Sequence, residues 1–408
     1  MRAQTRIYFV NRYFYPDESA TSQLLSDLAF GLAGAGQQVH IVCSRQLYGD
    51  PRSSLPAREV VRGVTVHRLW TTRFGRQALA GRALDYLSFY AAAAFSLLGR
   101  LRRNDIVVAE TDPPLISLVA AVAAGLKGAV LVNWLQDVFP EIASELGANP
   151  LPPALDRLLR SCRDRSLRAA ACNVVLGSRM REYVQTRVPP AVRIEIIENW
   201  ADPDELRPLR VADSRLRQRC GLGEQFVVGY SGNLGRAHEI DTLLGAAVAL
   251  REDAGVRFLF IGGGTRMEEL KLRVAALGLA SFQFLPYQPR AELADSLAAP
   301  DVHLASLNPA LEGLIVPSKL YGVLAAARPL IFIGDPDGEL ARVLRASGCG
   351  LVANAGDPQG LVTAIQRLRA DPLLREAMGT AARATLCERY AASRALTAWH
   401  RLLQGLTN

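Results

Sequence analysis

The chain alternates short, continuously apolar runs with longer segments whose apolar positions recur at helical spacing. The run Arg6-Ile7-Tyr8-Phe9-Val10 reads as a strand buried on both faces. Leu24, Leu25, Leu28 and Leu32 then mark a helix, Gly34 and Gly36 supply its stop, and Val39-His40-Ile41-Val42-Cys43 starts a second strand. The same order recurs: a helix over 84–103, a strand over 105–109, a helix over 115–126 and a strand over 129–134. A further helix leads to Asn173-Val174-Val175-Leu176, and a strand over 193–197 precedes the polar, proline-containing segment 198–204, which reads as a linker. Beyond Pro208 the pattern restarts, with strands beginning at Phe226, Val256, Phe282, Asp301 and Leu330, and the chain finishes with helices, the last through Trp399, Leu402 and Leu403. Alternating strands and helices in two halves of similar length predict an α/β protein of two doubly wound domains, too long for one core at 408 residues.

In such sheets ligands sit beyond the carboxyl ends of the strands, which selects the loops to inspect. The most informative runs from Leu311 to Gly322. It offers a carboxylate (Glu312), backbone amides beside Gly313 and Leu314, a helix start at Pro317-Ser318 and an ammonium (Lys319), before a helix that carries Tyr321. A carboxylate holds sugar hydroxyls, while a helix start and a cation hold phosphate, so a nucleotide-sugar is the ligand that needs both. Gly229-Tyr230-Ser231-Gly232-Asn233-Leu234-Gly235 joins a strand to a helix. It lacks the second glycine of a dinucleotide fingerprint, which disfavours NAD, yet amides near Gly232 and Gly235 suit a phosphate, with Arg236 within reach and His238 at the helix opening. Gly262-Gly263-Gly264 ends the next strand on the same side, and Tyr287 follows the strand after that.

Two Asp-Pro-Asp triplets (202–204 and 335–337) could mark a metal-dependent sugar-nucleotide site, but the prolines favour turns, and no metal is expected. The leaving diphosphate then falls to Lys319, Arg236 and helix dipoles. In the first half, Pro16-Asp17-Glu18-Ser19-Ala20-Thr21 combines N-cap chemistry with possible acceptor contacts through Glu18, Ser19 and Thr21. Asp137, with Glu141 one helical turn on, fits an N-cap before Pro140 and a catalytic or acceptor-hydroxyl role equally well. His40 and His303 fall inside strands and read as core.

A net charge of +8 calls for an anionic partner, either nucleotide phosphates or an anionic membrane surface. Nucleic acid is not expected, because no basic stripe interleaved with stacking aromatics is present. The helix over 84–103 is apolar and ends in Arg100, Arg102 and Arg103, so it either covers the sheet or lies on lipid headgroups. The six scattered cysteines read as reduced thiols of a cytoplasmic protein; no signal peptide is visible, and the apolar run 115–126 is too short to span a bilayer.

Together these segments carry a resemblance. The Tyr15-Pro16 loop, Asp137-Val138-Phe139-Pro140-Glu141, the glycine-rich loops, and above all Val316-Pro317-Ser318-Lys319-Leu320-Tyr321-Gly322 with Arg328-Pro329 resemble glycosyltransferase family 4, and within it the WbuB/WcaI-like transferases of O-antigen, capsule and colanic-acid assembly. The resemblance implies a retaining enzyme of the GT-B fold, two Rossmann-like domains facing a central cleft. It implies an acceptor-binding domain over 1–205, a nucleotide-sugar domain over 206–385, and a helix over 386–408 packing back on the first domain. It further implies a UDP-sugar donor, of an N-acetylamino or deoxyamino sugar, a lipid-linked glycan acceptor, and peripheral attachment to the inner face of the cytoplasmic membrane. Glu312 matches the first glutamate of the family's pair; the second falls on Leu320 or Gly322, and Glu339 is the acid that could replace it. Asn233 and His238 stand where the family has its diphosphate cations, and Gln136 stands in place of its first-domain histidine. Two other functions fit these features, a nucleotide-sugar epimerase and a non-catalytic scaffold of polysaccharide assembly.

Overall fold

Each continuously apolar run forms a strand of a parallel sheet in the computed structural model, which describes residues 5–75, 79–147 and 152–406. The chain divides into two units, Met1–Glu198 with Ala395–Asn408, and Asn199–Arg394. In the first, the order is β1 (Arg6–Val10), α1 (Ala20–Gly34), β2 (Gln38–Ser44), β3 (Arg58–Val61), β4 (Val64–Leu69), α2 (Leu79–Arg100) and β5 (Ile106–Ala109). It continues through α3 (Ile116–Lys127), β6 (Val130–Trp134), α4 (Glu141–Glu145), α5 (Pro153–Ala169), β7 (Cys172–Val175), α6 (Ser178–Gln185) and β8 (Ile194–Ile196). The second unit runs α7 (Arg215–Arg219), β9 (Phe226–Asn233), α8 (Asp241–Ala249), β10 (Val256–Gly263), α9 (Thr265–Ala276), β11 (Phe282–Leu285), α10 (Leu293–Ala298) and β12 (Val302–Ser306). It ends with α11 (Lys319–Ala325), β13 (Leu330–Gly334), α12 (Glu339–Ser347), β14 (Gly350–Asn354), α13 (Pro358–Ala370), α14 (Pro372–Thr385) and the start of α15 (Ala392–Gly405).

The first sheet has the order β3-β4-β2-β1-β5-β6-β7-β8 and is parallel except for β3 against β4. The first strand of that hairpin is not visible as an apolar run, because β3 alternates exposed and half-buried positions. Its two-residue turn places Arg62 at φ 47° and Gly63 at φ 82°, the left-handed pair that matches strand twist. The core lies where α2 and α3 cover β1, β5 and β6, with Tyr8, Val10, Phe89, Leu97, Val107, Ile116 and Leu131 in one buried cluster. The expected helix over 84–103 therefore does cover the sheet, while Leu84, Leu87 and Phe95 of the same helix remain exposed. From Ala395 on, α15 belongs to this unit: Trp399 is fully buried edge-on against Trp134 (ring centroids 5.0 Å apart) and Phe9 (6.5 Å). A side chain larger than hydrogen at Gly31 of α1 would strike Leu396.

The second sheet, β11-β10-β9-β12-β13-β14, is wholly parallel, with Tyr230, Phe258, Phe260, Leu304, Ile331 and Leu361 in one buried cluster and Val227, Leu259 and Ile261 in another. The sequence showed only helices after Ile333, whereas β14 adds an edge strand. His303 is buried in β12 and its Nε2 donates to Leu297 O (2.9 Å), while His40 of β2 stacks on Tyr8 at 4.6 Å, so both are packing residues as expected. Cys43, Cys172 and Cys349 are buried thiols, Cys162 and Cys220 half-buried, and Cys387 exposed.

Candidate functional site

Strand order in the second unit reverses between β9 and β12: from β9 the chain moves outward to β10 and β11, and from β12 outward the other way. Because the sheet is parallel, Asn233, Gly263, Ser306 and Gly334 all stand at its carboxyl edge. The reversal opens a crevice at that edge, where doubly wound folds bind their ligands. Lys319, the first residue of α11, and His238, in the loop after β9, meet there with Nζ and Nε2 3.1 Å apart. His238 lies in the loop before α8 rather than at a helix opening, since that helix starts at Asp241; Gly232 is correspondingly near the end of β9 and Gly235 in the loop that follows.

The chemistry of this pair follows from its partners. His238 is 9% exposed and its Nδ1 lies 2.6 Å from Ser306 O; a carbonyl only accepts, so Nδ1 carries the proton and Nε2 is left as acceptor for the Lys319 ammonium. Burial first, then the charge of Lys319, takes the imidazole pKa down to about 3, so it stays neutral. Lys319, itself half-buried, also donates to Asn233 O (3.0 Å) and stands 4.8 Å above the Tyr230 ring. None of these groups is an anion, and burial lowers the ammonium pKa to about 7. A cation held by neutral groups alone is a site for an anion to complete.

The two glycine-rich segments pack on one another. Leu234 N donates to Gly263 O (2.7 Å), and Arg266 N to Leu234 O (2.9 Å). Gly262 (φ 129°) leaves no room for a Cβ, which would lie 2.2 Å from Gly232 O; at Gly264 (φ 119°) it would lie 2.5 Å from Asn233 Oδ1 and Leu234 O. These glycines thus let the ends of β9 and β10 and the turns that follow approach closely, which is a packing reason beside any phosphate contact. Asn233 and Arg236 are exposed, Gly235 half-buried, and the exposed Tyr287 ring lies over Gly263. Glu312 meets the start of α12, where its Oε2 accepts from Glu339 N (3.2 Å), so the two acids named from the sequence do come together. Gly313 takes φ 76° and, like Leu314, is buried; Ser318 is exposed. Tyr321 differs from its expected donor contact: it is 4% exposed, on the inner face of α11, with its ring edge-on to Tyr390 at 5.3 Å.

In the first unit Glu141 is buried and taken up by its own network: Arg163 bonds it twice (2.6 and 3.0 Å), Arg160 bridges to it (2.9 Å) and the Tyr183 hydroxyl donates to it (2.7 Å). That carboxylate serves α5 and α6 rather than an acceptor. At the start of α1, Ser19 is the N-cap residue without a side-chain cap bond; instead Asp17 accepts from Ser19 and from Tyr48 N, with Glu18 exposed and Thr21 half-buried. Asp137 hydrogen-bonds Thr111 and does not cap α4, which begins at Glu141; burial lifts its pKa to about 6. Its Oδ1 is enclosed without a partner. Glu110, which follows β5 and which the sequence does not mark as a site residue, borders the same small cavity as Asp137.

Two family models match the chain, a glycosyl transferase 4-like domain over residues 21–200 and a glycosyl transferases group 1 domain over residues 214–385. The chain is a glycosyltransferase with a 4-like and a group 1 domain. Among its relatives are WbjE of Pseudomonas aeruginosa, named a probable glycosyltransferase, which is 28% identical over 299 residues (72% of this chain, 74% of WbjE). WcaI of Escherichia coli K12, a colanic acid biosynthesis glycosyl transferase by name, is 22% identical over 375 residues (88% and 91%). HepE of Anabaena, whose crystal structure holds UDP and glucose, superposes with a TM-score of 0.72 over 98% of this chain and 100% of that one at 16% identity, a likeness of fold. The glycosyltransferase thus has the two Rossmann-like domains of the GT-B class. Both Asp-Pro-Asp triplets are turns: Asp202 Oδ1 accepts from Asp204 N and Asp335 Oδ1 from Asp337 N, each at 2.8 Å. Among the described residues of the glycosyltransferase, no three His, Cys, Asp or Glu side chains cluster to hold a metal, and no helix is long and apolar enough to cross a membrane.

Proposed function

We propose that this glycosyltransferase moves a sugar, of the N-acetylamino or deoxyamino class, from a UDP-sugar to a lipid-linked glycan during assembly of a bacterial surface polysaccharide, with retention at the transferred carbon and no metal ion. The observation that carries the donor reading is the Lys319 ammonium at the strand-order reversal, held by His238, Asn233 O and Tyr230 with no carboxylate bonded to it among the described residues. As the sugar–phosphate bond breaks, negative charge grows on the leaving diphosphate, and a pre-placed cation stabilises it without reorganising solvent. Arg236, exposed in the neighbouring loop, adds a second cation, and Glu312 at the same sheet edge takes the sugar hydroxyls. The colanic acid biosynthesis in the name of WcaI favours polysaccharide assembly, and the UDP-glucose in a HepE crystal favours a UDP-sugar donor. Exposed Leu84, Leu87 and Phe95 on α2, with Arg100 and Lys127 closing α2 and α3 and Arg102 and Arg103 just after α2, suit attachment to an anionic bilayer surface.

Purified protein incubated with UDP-sugars and a lipid extract from cells lacking the gene tests the reading. A glycolipid product supports it; a new free nucleotide-sugar means an epimerase, and UDP binding with neither product means a scaffold. Lys319→Ala is expected to lower transfer roughly a hundredfold or more. Calorimetry in which the intact protein binds neither UDP nor any nucleoside-diphosphate sugar would falsify it.

A further inference from the structure

At the carboxyl edge of the first sheet, two neighbouring loops turn aromatic rings outward. Tyr48, between β2 and β3, is 46% exposed; Trp70, which follows β4 directly, is 64% exposed, and Phe74, on the same loop, 63%. Rings left in water add nothing to the core, and where they gather they mark interaction surfaces.

Buried polar side chains hold these loops in place. Gln46, 3% exposed, donates to Thr71 Oγ1 (3.0 Å) and Thr72 O (2.9 Å), which ties the first loop to the second. Arg45 N donates to Leu69 O (3.2 Å), and Arg73 to Ser54 Oγ (3.3 Å), across the same seam. Asp85 of α2, 1% exposed, accepts from Thr72 Oγ1 (2.7 Å), Phe74 N (3.1 Å) and Gly75 N (3.0 Å). Ser53 Oγ accepts from Leu47 N (2.7 Å), closing the turn that carries Tyr48, whose ring stands edge-on to buried Tyr13 at 5.6 Å. A carboxylate and an amide withdrawn from water to fix loops whose rings stay outside describe a surface set before its ligand arrives.

The polar groups beside the rings select the ligand. Asp50, Arg52 and Arg73 are exposed on the same two loops. An anionic bilayer would meet Asp50, and a wholly apolar partner would strip water from all three charges. The outer face of α2 is the contrast: Ala83, Leu84, Leu87, Ala91 and Phe95 are exposed there, with no exposed charge among residues 83–99. A sugar ring has C–H faces to lie on aromatic carbon, and hydroxyls that donate to a carboxylate and accept from guanidinium groups, so it satisfies both kinds of group. Its place in the sheet agrees. The strand order reverses between β1 and β5, where doubly wound sheets bind ligands, and β4 lies two strands from β1, about 10 Å away.

We propose that Tyr48, Trp70 and Phe74, with Asp50, Arg52 and Arg73, form a platform for a sugar of the acceptor glycan that lies beyond the reacting one. This rests on the transferase reading above and adds where the acceptor is gripped away from its reacting hydroxyl.

Trp70 reports on this surface, because the chain's other tryptophans, Trp134, Trp200 and Trp399, are at most 7% exposed. In the full-length protein acrylamide should quench a component of the fluorescence that Trp70→Phe removes. Glycan released by mild acid from the lipid extract should shield that component and move its emission to the blue. Vesicles of phosphatidylglycerol and phosphatidylethanolamine without glycan should do neither. Trp70→Ala takes away little packing and should keep the wild-type Tm. It should raise the half-saturating extract concentration roughly tenfold or more, the scale of a truncated aromatic anchor, with UDP affinity unchanged. Trp70→Phe keeps a ring and should stay within about threefold of wild type. Shielding by the vesicles, or none by the glycan, overturns the platform. So does a Trp70 that acrylamide cannot reach in the glycan-free protein, or a Trp70→Ala enzyme with wild-type extract dependence. Failure of the wild type to bind UDP or form product instead overturns the transferase reading, so the two failures are distinguishable.

Discussion

Diphosphate binding should draw a proton into the protein. Lys319 is surrounded by neutral groups and its pKa falls from 10.5 to about 7 on burial. In the ligand-free protein at pH 8 about a tenth of the side chain is charged. A bound diphosphate supplies the anion that the pocket lacks and favours the ammonium, so binding at pH 8 takes up about 0.9 proton. By the same linkage the apparent Kd for UDP rises nearly tenfold between pH 8 and pH 9. At pH 8 the terminal phosphate of UDP, which titrates near about pH 6, contributes nothing to the uptake. Titration calorimetry in buffers of differing ionisation enthalpy measures it, as the slope of observed heat against buffer enthalpy. Lys319→Met is the control and should show no uptake. Wild-type protein that binds UDP at pH 8 with zero slope refutes the picture of a cation held uncharged by its surroundings.

Three further outcomes follow from the geometry. His238→Ala removes the acceptor for Lys319 Nζ and leaves Ser306 O unmet, so UDP affinity should weaken about five- to tenfold by calorimetry. Gly262→Ala forces a Cβ within 2.2 Å of Gly232 O at φ 129° and should destabilise the second unit by about 3 kcal/mol or more in a denaturant titration, whereas Gly36→Ala, at φ 82° with no neighbour within 4 Å, should cost only about 1–2 kcal/mol. Glu141→Gln takes away the buried carboxylate that Arg163 and Arg160 share, leaving them Asp164 and Asp156, and should lower the stability of the first unit by about 1–3 kcal/mol, read from the fluorescence of the buried Trp134 and Trp399. Although burial opposes it, the bonds from Arg163 hold the Glu141 pKa below the ordinary value; its stabilisation is thus present above about pH 4.5 and lost as pH falls through the lower folded value.

The architecture was legible because strands buried on both faces are continuous apolar runs, as in β1, β5 and β13. It failed where a strand keeps one side in water: β3 alternates half-buried and exposed positions, and β14 is half-buried along most of its length and opens on a glycine. For the site, residue type was readable and direction was not. Lys319 and Glu312 could be chosen because few residues carry their chemistry, but the position of Tyr321 on the inner face of α11 depends on how that helix is laid down. Nothing in the sequence at Glu110 says that its buried carboxyl will find no hydrogen-bond partner among the described residues; that is a property of what surrounds it, contributed by residues from Leu115 to Val184.

The return of α15 to the first unit has a consequence for biosynthesis. A ribosome delivers Phe9 and Trp134 early, yet Trp399, which closes over both, emerges only after the whole of the second unit. Until then the nascent first unit carries an open hydrophobic seam, a target for chaperones and a route to misassembly. A fragment ending at residue 198 should accordingly precipitate where a circular permutant that begins with α15 would fold.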